Sequence, residues 1–87
     1  MAITAESIRA KLQDALEAQH VEVEDTSGGC GQAFEAVIVS TQFQGLPLLK
    51  RHRLVNTALE DELKAIHAFS QKTYTPEQWT KIQEKAA

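Results

Sequence analysis

The chain of 87 residues is long enough for one small domain, and its composition (43% hydrophobic, 24% charged) is ordinary for a globular protein. We therefore predict a single domain spanning residues 1–87 and exclude wholesale disorder. Twelve acidic residues against nine basic ones give a net charge of −3, which argues against a surface adapted to nucleic acid or to an anionic membrane.

Cysteine content and hydrophobic runs indicate where the protein resides. Cys30 is the only cysteine, so the chain cannot form an internal disulfide, and a lone thiol suits a reducing compartment. No apolar run approaches the roughly 20 residues that a membrane span needs. The first residues lack the apolar core of a signal peptide and the arginine-rich bias of a transit peptide. We expect a cytoplasmic protein, with the nucleus as a second location and no membrane partner.

The first predicted element is an amphipathic helix from about Ala5 to Ala18. Thr4 can cap its N-terminus, and Glu6 lies in the first turn, where the helix dipole favours an acid. The apolar positions recur at helical spacing and are expected to face the core: Ile8, Leu12, Ala15 and Leu16.

Two strands are predicted next. Residues His20–Asp25 alternate apolar and polar side chains, as a half-buried strand does. Residues Ala33–Ser40 are apolar on both faces, which indicates a more central strand. The glycine-rich run Thr26–Gln32 between them predicts a hairpin with a long, open tip, and Cys30 lies in that tip.

The second half of the chain begins with a turn at Gln44–Pro47. A helical pattern follows over Leu48–Ile66, in one or two pieces, with its apolar stripe on Val55, Leu59 and Leu63. A third strand is predicted over His67–Tyr74.

A last helix starts with a clear signal. Thr75 can cap it, Pro76 fits its first position, and Gln78 completes a capping box. Trp79 is expected to anchor this helix to the sheet. The order α-β-β-α-β-α predicts an α+β two-layer sandwich, a three-stranded sheet packed with helices.

Cys30 and His67 are the candidates for chemistry. A single cysteine is often an inert apolar residue, but one flanked by glycines has no regular element to bury it, so its thiol could bind a soft metal. His67 lies at the junction of a helix and a strand, where it is either a hydrogen-bonded structural residue or a ligand held by a rigid scaffold. His20 and His52 are interpreted as surface residues.

Two such ligands are too few for a complete site. A closed structural zinc site or a 2Fe-2S cluster takes four ligands, so any metal function requires a second molecule. Histidine can replace cysteine on a cluster, and a proton can compete for that bond. A mixed half-site therefore suits cluster transfer or sensing better than storage.

Two segments resemble the signature of BolA-like proteins, closest to the cytosolic eukaryotic members. The first is the run GLPLLKRHRLVN at 45–56 followed by LEDEL at 59–63, and the second is IHAFSQKTYTPEQW at 66–79. The match extends over nearly the whole chain and includes the first predicted strand. It implies a fold like that of type II KH domains, in agreement with the predicted element order.

The resemblance also implies a function that is not enzymatic. Such proteins bind a 2Fe-2S cluster together with a monothiol glutaredoxin, as a heterodimer or heterotrimer, with glutathione supplied in the complex. His67 falls on the family's ligand histidine, and Cys30 corresponds to a second ligand that is cysteine in some members and histidine in others. The role implied is cytosolic iron–sulfur trafficking or iron-dependent regulation. An accessible lone thiol would also allow a homodimer of the apo protein on oxidation.

Two alternatives come from the residues. The run Gly28–Gly31 satisfies the GxxG pattern of KH domains, and the basic residues Lys50, Arg51 and Arg53 could contact phosphate or a protein partner. A KH clamp joins two helices, however, whereas this run joins two predicted strands, so the nucleic-acid-binding or transcription-regulating module is the second hypothesis. A Cys–His enzyme is disfavoured because a glycine loop does not hold a nucleophile in place.

Overall fold

The computed structural model describes residues 3–28 and 33–86, and within them four α-helices accompany three strands. In chain order the elements are α1 (Ala5–Leu16), β1 (His20–Asp25), β2 (Ala33–Val39), a 3₁₀ helix (Thr41–Phe43), α2 (Leu48–Ala58), α3 (Glu60–Ala65), β3 (Ala68–Tyr74) and α4 (Pro76–Ala86). The predicted α+β order is confirmed, with the central helical stretch divided in two at Leu59.

The three strands form one sheet in the order β1-β2-β3. Strands β1 and β2 are antiparallel, with His20 opposite Val39, whereas β2 and β3 are parallel, with Val39 opposite Tyr74. The predicted central position of β2 is confirmed. Its apolar residues on both faces suit this position, since β2 is paired on each side and Val39, on the face opposite Phe34, Ala36 and Ile38, is buried as well.

The hydrophobic core lies between one face of the sheet and the helices α1 and α2. Its buried members are Ile8, Leu12, Leu16, Ala18, Phe34, Ala36, Ile38, Phe43, Val55, Leu59 and Ile66. Alternation along the strands places Glu22, Glu24, Glu35 and Lys72 on the opposite face. The core face is therefore apolar, whereas the opposite face combines these charged residues with Val37 and Val39 of β2.

Helix α1 is shorter than predicted. Its N-terminus is capped by Thr4 as expected, but it ends at Leu16 because Glu17 adopts a left-handed conformation (φ 49°). That turn buries Ala18 after the helix rather than within it. Ala15, which was assigned to the core, is exposed, because three large apolar residues one turn apart already fill the contact with the sheet.

Helix α4 begins as its capping box predicts. The backbone N–H of Gln78 donates to Thr75 Oγ1 (3.3 Å), and the N–H of Thr75 donates to Gln78 Oε1 (3.0 Å). The predicted contact of Trp79 with the sheet is also confirmed, since its ring lies 5.7 Å from that of Tyr74 in β3 and 5.0 Å from that of His20 in β1.

Candidate functional site

His67 occupies a bend between α3 and β3 and is exposed to solvent. The residue before it, Ile66, is buried, and its N–H donates to the carbonyl of Glu62 in α3 (3.1 Å). The residue after it, Ala68, is the first of β3. The backbone is therefore fixed on both sides of His67 while its imidazole is open to a partner.

The strand register places the start of β2 beside the start of β3. Ala68 pairs with Ala33, the first residue of β2, in the parallel ladder. The hairpin closes at that level, because the N–H of Thr26 donates to the carbonyl of Ala33 (2.9 Å). Cys30 itself lies outside the described residues.

The described residues contain no complete metal site. Within 3–28 and 33–86, no three His, Cys, Asp or Glu side chains lie close enough to hold a metal ion. His67 thus has an exposed side chain that belongs to no such group of three in the part of the chain that is described.

An ion pair links α1 to α3, the helix that precedes His67. Lys11 of α1 donates to both carboxylate oxygens of Glu62 in α3, each at 2.8 Å. This hydrogen bond raises the pKa of Lys11. Burial alone would raise the pKa of Glu62, but the hydrogen bond from Lys11 and the attraction of the ammonium outweigh it, so the pKa of Glu62 is lowered.

The basic residues at the start of α2 have different environments. Lys50 and Arg53 are exposed, whereas Arg51 is half-buried and bonded internally. Its Nε donates to the carbonyl of Leu46 (2.9 Å), and its Nη1 donates to Gln78 Oε1 (3.0 Å) and, weakly, to the carbonyl of Thr73 (3.5 Å). Two of the three residues assigned to phosphate or partner contact are thus available, and the third ties α2 to β3 and α4.

His20 has a structural contact that the sequence did not indicate. Its ring stacks on Trp79, with an interplanar angle of 25°, and its Nε2 lies 3.3 Å from Glu22 Oε2. The sequence offered no signal for this stack, because the two residues are 59 positions apart and the pairing depends on where α4 crosses the sheet.

The glycine run does not have the setting of a KH clamp. It connects β1 to β2, as predicted, and not two helices. Gly28, its one residue among those described, has φ +77° and no atom within 4 Å of the position a Cβ would take. No helix among the described residues is long and apolar enough to cross a membrane.

Comparison with known proteins decides the family. The model of the family described as BolA-like protein matches residues 12–78. The chain belongs to the BolA-like family. It is 55% identical to human BolA-like protein 2 over 86 residues, covering 98% of this chain and 100% of the relative. It is 56% identical to mouse BolA-like protein 2 over 82 residues, covering 93% and 95%.

The fold agrees with solved BolA-like structures. A crystal structure of a bol-like protein from Babesia bovis superposes with a TM-score of 0.86 at 43% identity, covering 95% of this chain and 96% of that one. The resemblance stated from the sequence is therefore confirmed at the level of family and fold.

Proposed function

We propose that this BolA-like chain is a non-enzymatic iron–sulfur factor that supplies His67 and Cys30 to a 2Fe-2S cluster, with a monothiol glutaredoxin and glutathione supplying the remaining ligands. The cluster is its cargo, carried in the cytosol for delivery to other proteins or for iron-dependent regulation. The observation that supports the proposal is the parallel pairing of Ala33 with Ala68, because Ala33 follows Cys30 by three positions in the sequence and Ala68 follows His67 by one.

The distances along the chain are compatible with one shared cluster. Neighbouring strands lie about 4.8 Å apart, so Ala33 and Ala68 are close across the ladder. Cys30 precedes Ala33 by three residues, which a fully extended chain spans in about 10 Å. His67 precedes Ala68 by one residue. Both donors can therefore reach a cluster placed at this edge of the sheet.

The donor set favours an exchangeable cluster. One imidazole and one thiolate are half of the four ligands that a 2Fe-2S cluster takes, so the cluster is bound only while the partner is present. The exposure of His67 supports this arrangement, since a second protein must approach it directly. A bound imidazole is also easier to displace than a thiolate, because protons compete for it.

Reconstitution tests the proposal. The protein is mixed with a monothiol glutaredoxin, glutathione, iron and sulfide, and the visible circular dichroism of the complex is recorded. We expect a spectrum different from that of the glutaredoxin homodimer. His67→Ala should remove the difference or greatly shorten the lifetime of the cluster, and Cys30→Ala tests the second ligand in the same way.

His52→Ala is the matched control, because it removes another partly exposed histidine from α2 without touching this edge of the sheet. It should leave the spectrum of the complex unchanged. If His67→Ala also behaves like the parent protein, His67 is not a ligand.

A further inference from the structure

Strand β1 forms one edge of the sheet, because the order β1-β2-β3 gives it a single neighbour. The N–H of Thr26 donates to the carbonyl of Ala33 opposite it (2.9 Å), so the even-numbered residues of β1 are those that exchange hydrogen bonds with β2. The backbone N–H and C=O groups of Val21 and Val23 therefore point away from β2. Within residues 3–28 and 33–86, no side chain or loop bonds to these groups.

The side chains along β1 alternate between an apolar face and an acidic face. Val21 and Val23 are half-buried and pack against the core, whereas Glu22 and Glu24 are exposed on the opposite face. A groove of about 300 Å³ on β1 and β2 is lined by Glu22, Val23, Glu24, Glu35 and Val37. A strand added to the edge would extend both faces, with one side chain in two beside the carboxylates.

The exposed face of β1 carries excess negative charge. Glu35 Oε1 lies 3.8 Å from Lys72 Nζ, and Glu22 Oε2 lies 3.3 Å from His20 Nε2. Glu24 is exposed and belongs to none of the ion pairs of the described residues. The strand itself contains three acidic residues and no lysine or arginine. Its edge is therefore complementary to a basic segment.

We propose that the free edge of β1 binds an extended basic segment of a partner protein as an additional antiparallel strand. The backbone of the segment bonds to the outward groups of Val21 and Val23. Its Lys or Arg side chains lie beside Glu22 and Glu24, because side chains on adjacent strands are about 5 Å apart when they are directly opposite. The segment thus alternates basic residues with apolar ones, which extend the valine face.

Charge disfavours a second copy of this chain as the occupant. Two β1 strands paired edge to edge would place Glu22 and Glu24 of one copy beside the same residues of the other. Like charges on opposed strands destabilise the pairing. The acidic side chains therefore protect the edge against self-association and at the same time select a basic partner.

This edge is separate from the strand that follows His67. Strands β1 and β3 lie on opposite sides of β2. Neighbouring strands are about 4.8 Å apart, so about 10 Å separates β1 from β3, and a strand added to β1 lies farther away still. The inference does not rest on the proposed cluster function and can be tested with the apo protein.

Fluorescence polarisation with a synthetic peptide tests the proposal. The probe is a blocked eight-residue peptide in which lysine and valine alternate, and the control for charge alone has its four lysines before its four valines. We expect the alternating peptide to bind about tenfold more tightly or better. N-methylation of its valines, which lie opposite Val21 and Val23, should abolish binding. N-methylation of its lysines, whose N–H groups point away from β1, should be tolerated.

Variants of the protein test the carboxylates. Glu24→Gln should weaken binding of the alternating peptide by about two- to fivefold, and Glu24→Lys by about tenfold or more. Glu84→Lys makes the same charge change at an exposed position of α4 and should bind like the parent protein. Circular dichroism confirms that each variant is folded before its binding is compared.

Amide hydrogen exchange, followed by NMR, locates the bound peptide. The amides of Val21 and Val23 should exchange rapidly in the free protein and at least about tenfold more slowly with the peptide bound, whereas those of Glu22 and Glu24 are already protected by β2. Binding without this protection would overturn strand addition and leave only attraction to the carboxylates. Equal binding of both peptides would overturn it as well. Self-association of the apo protein that protects Val21 and Val23, measured by sedimentation and exchange, would identify a second copy as the occupant instead.

Discussion

Arg51 donates a hydrogen bond from Nη1 to Oε1 of Gln78, the same oxygen that accepts the N–H of Thr75 in the capping box of α4. One side-chain oxygen thus joins the start of α4 to the start of α2. Since Arg51 also holds the carbonyl of Leu46, it fixes the turn before α2 at the same time.

Replacing Arg51 should therefore destabilise the fold. Arg51→Ala removes the bonds to Leu46 and Gln78, and we expect the free energy of unfolding to fall by about 1–3 kcal/mol. Arg51→Lys should retain only part of the stability that Arg51→Ala loses, because an ammonium lacks the planar fork of donors. Urea denaturation measures both. Arg53→Ala alters an exposed neighbour, and its free energy of unfolding should stay within about 0.5 kcal/mol of the parent value. If Arg53→Ala lost as much stability as Arg51→Ala, the hydrogen bonds of Arg51 would not be the cause of the loss.

Ser40 is fully buried and should be equally sensitive. Its Oγ donates to the carbonyl of Leu16 (2.7 Å) and accepts the N–H of Gln42 (3.1 Å). Ser40→Ala leaves both backbone groups without these partners, so we expect a loss of about 1–3 kcal/mol in urea denaturation. Thr57→Ala, at an exposed position in α2, is the control and should leave stability unchanged or slightly raised. Equal stability of the two variants would contradict this role for Ser40.

The Lys11–Glu62 pair predicts a pH dependence of stability. Because folding lowers the pKa of Glu62, its carboxylate stabilises the folded protein at pH values above its ordinary pKa of 4.5. This stabilisation is lost as the pH falls through the pKa that Glu62 has in the folded protein. Because folding raises the pKa of Lys11, its ammonium stabilises the folded protein at pH values below its ordinary pKa of 10.5. This stabilisation is lost as the pH rises through the pKa that Lys11 has in the folded protein. The pair therefore stabilises the protein between these limits.

Glu62→Gln tests that window. At neutral pH the variant should be less stable than Glu60→Gln, which removes an exposed carboxylate from the same turn of α3. In strong acid the stabilities of the two variants should become equal, because Glu62 is then protonated and uncharged in the Glu60→Gln variant. Thermal unfolding followed across the pH range measures the difference, and a gap that persists undiminished in acid would refute the electrostatic explanation.

The stack of His20 on Trp79 can be followed optically, since Trp79 is the only tryptophan in the chain. His20→Ala uncovers one face of the indole, so its fluorescence emission should shift to longer wavelength. Beyond the loss of buried area, the stack should contribute about 0.5–1.5 kcal/mol to stability. His52→Ala should leave the emission unchanged. Identical spectra for His20→Ala and the parent would mean that the stack does not persist in solution.

Local patterns made much of the fold predictable. The bounds of β1 and the capping box at Thr75 and Gln78 depend on residues within a few positions of each other, and both are confirmed. The end of α1 was wrong, because the left-handed turn falls on Glu17 and not on a glycine that would have signalled it.

Contacts between distant segments could not be predicted. Arg51 was assigned to contact with phosphate or a protein partner, but its acceptor Gln78 is 27 positions away, and only the packing of α4 brings the two together. Likewise, His67 was recognised from the resemblance, whereas its place beside the end of the hairpin follows from the parallel pairing of β2 with β3. The role of Cys30 stays a prediction, since it lies outside the described residues.

The closure of the hairpin by Thr26 and Ala33 has a consequence for engineering. The number of residues between these two positions can change at a small entropic cost, because the entropy of loop closure grows slowly with loop length. An insertion between Ile66 and Ala68 would instead shift the start of β3 against β2. If Cys30 and His67 bind one cluster as proposed, a graded series of insertions between Thr26 and Ala33 would change the reach of the thiol without moving the imidazole, and the lifetime of the cluster would report the effect.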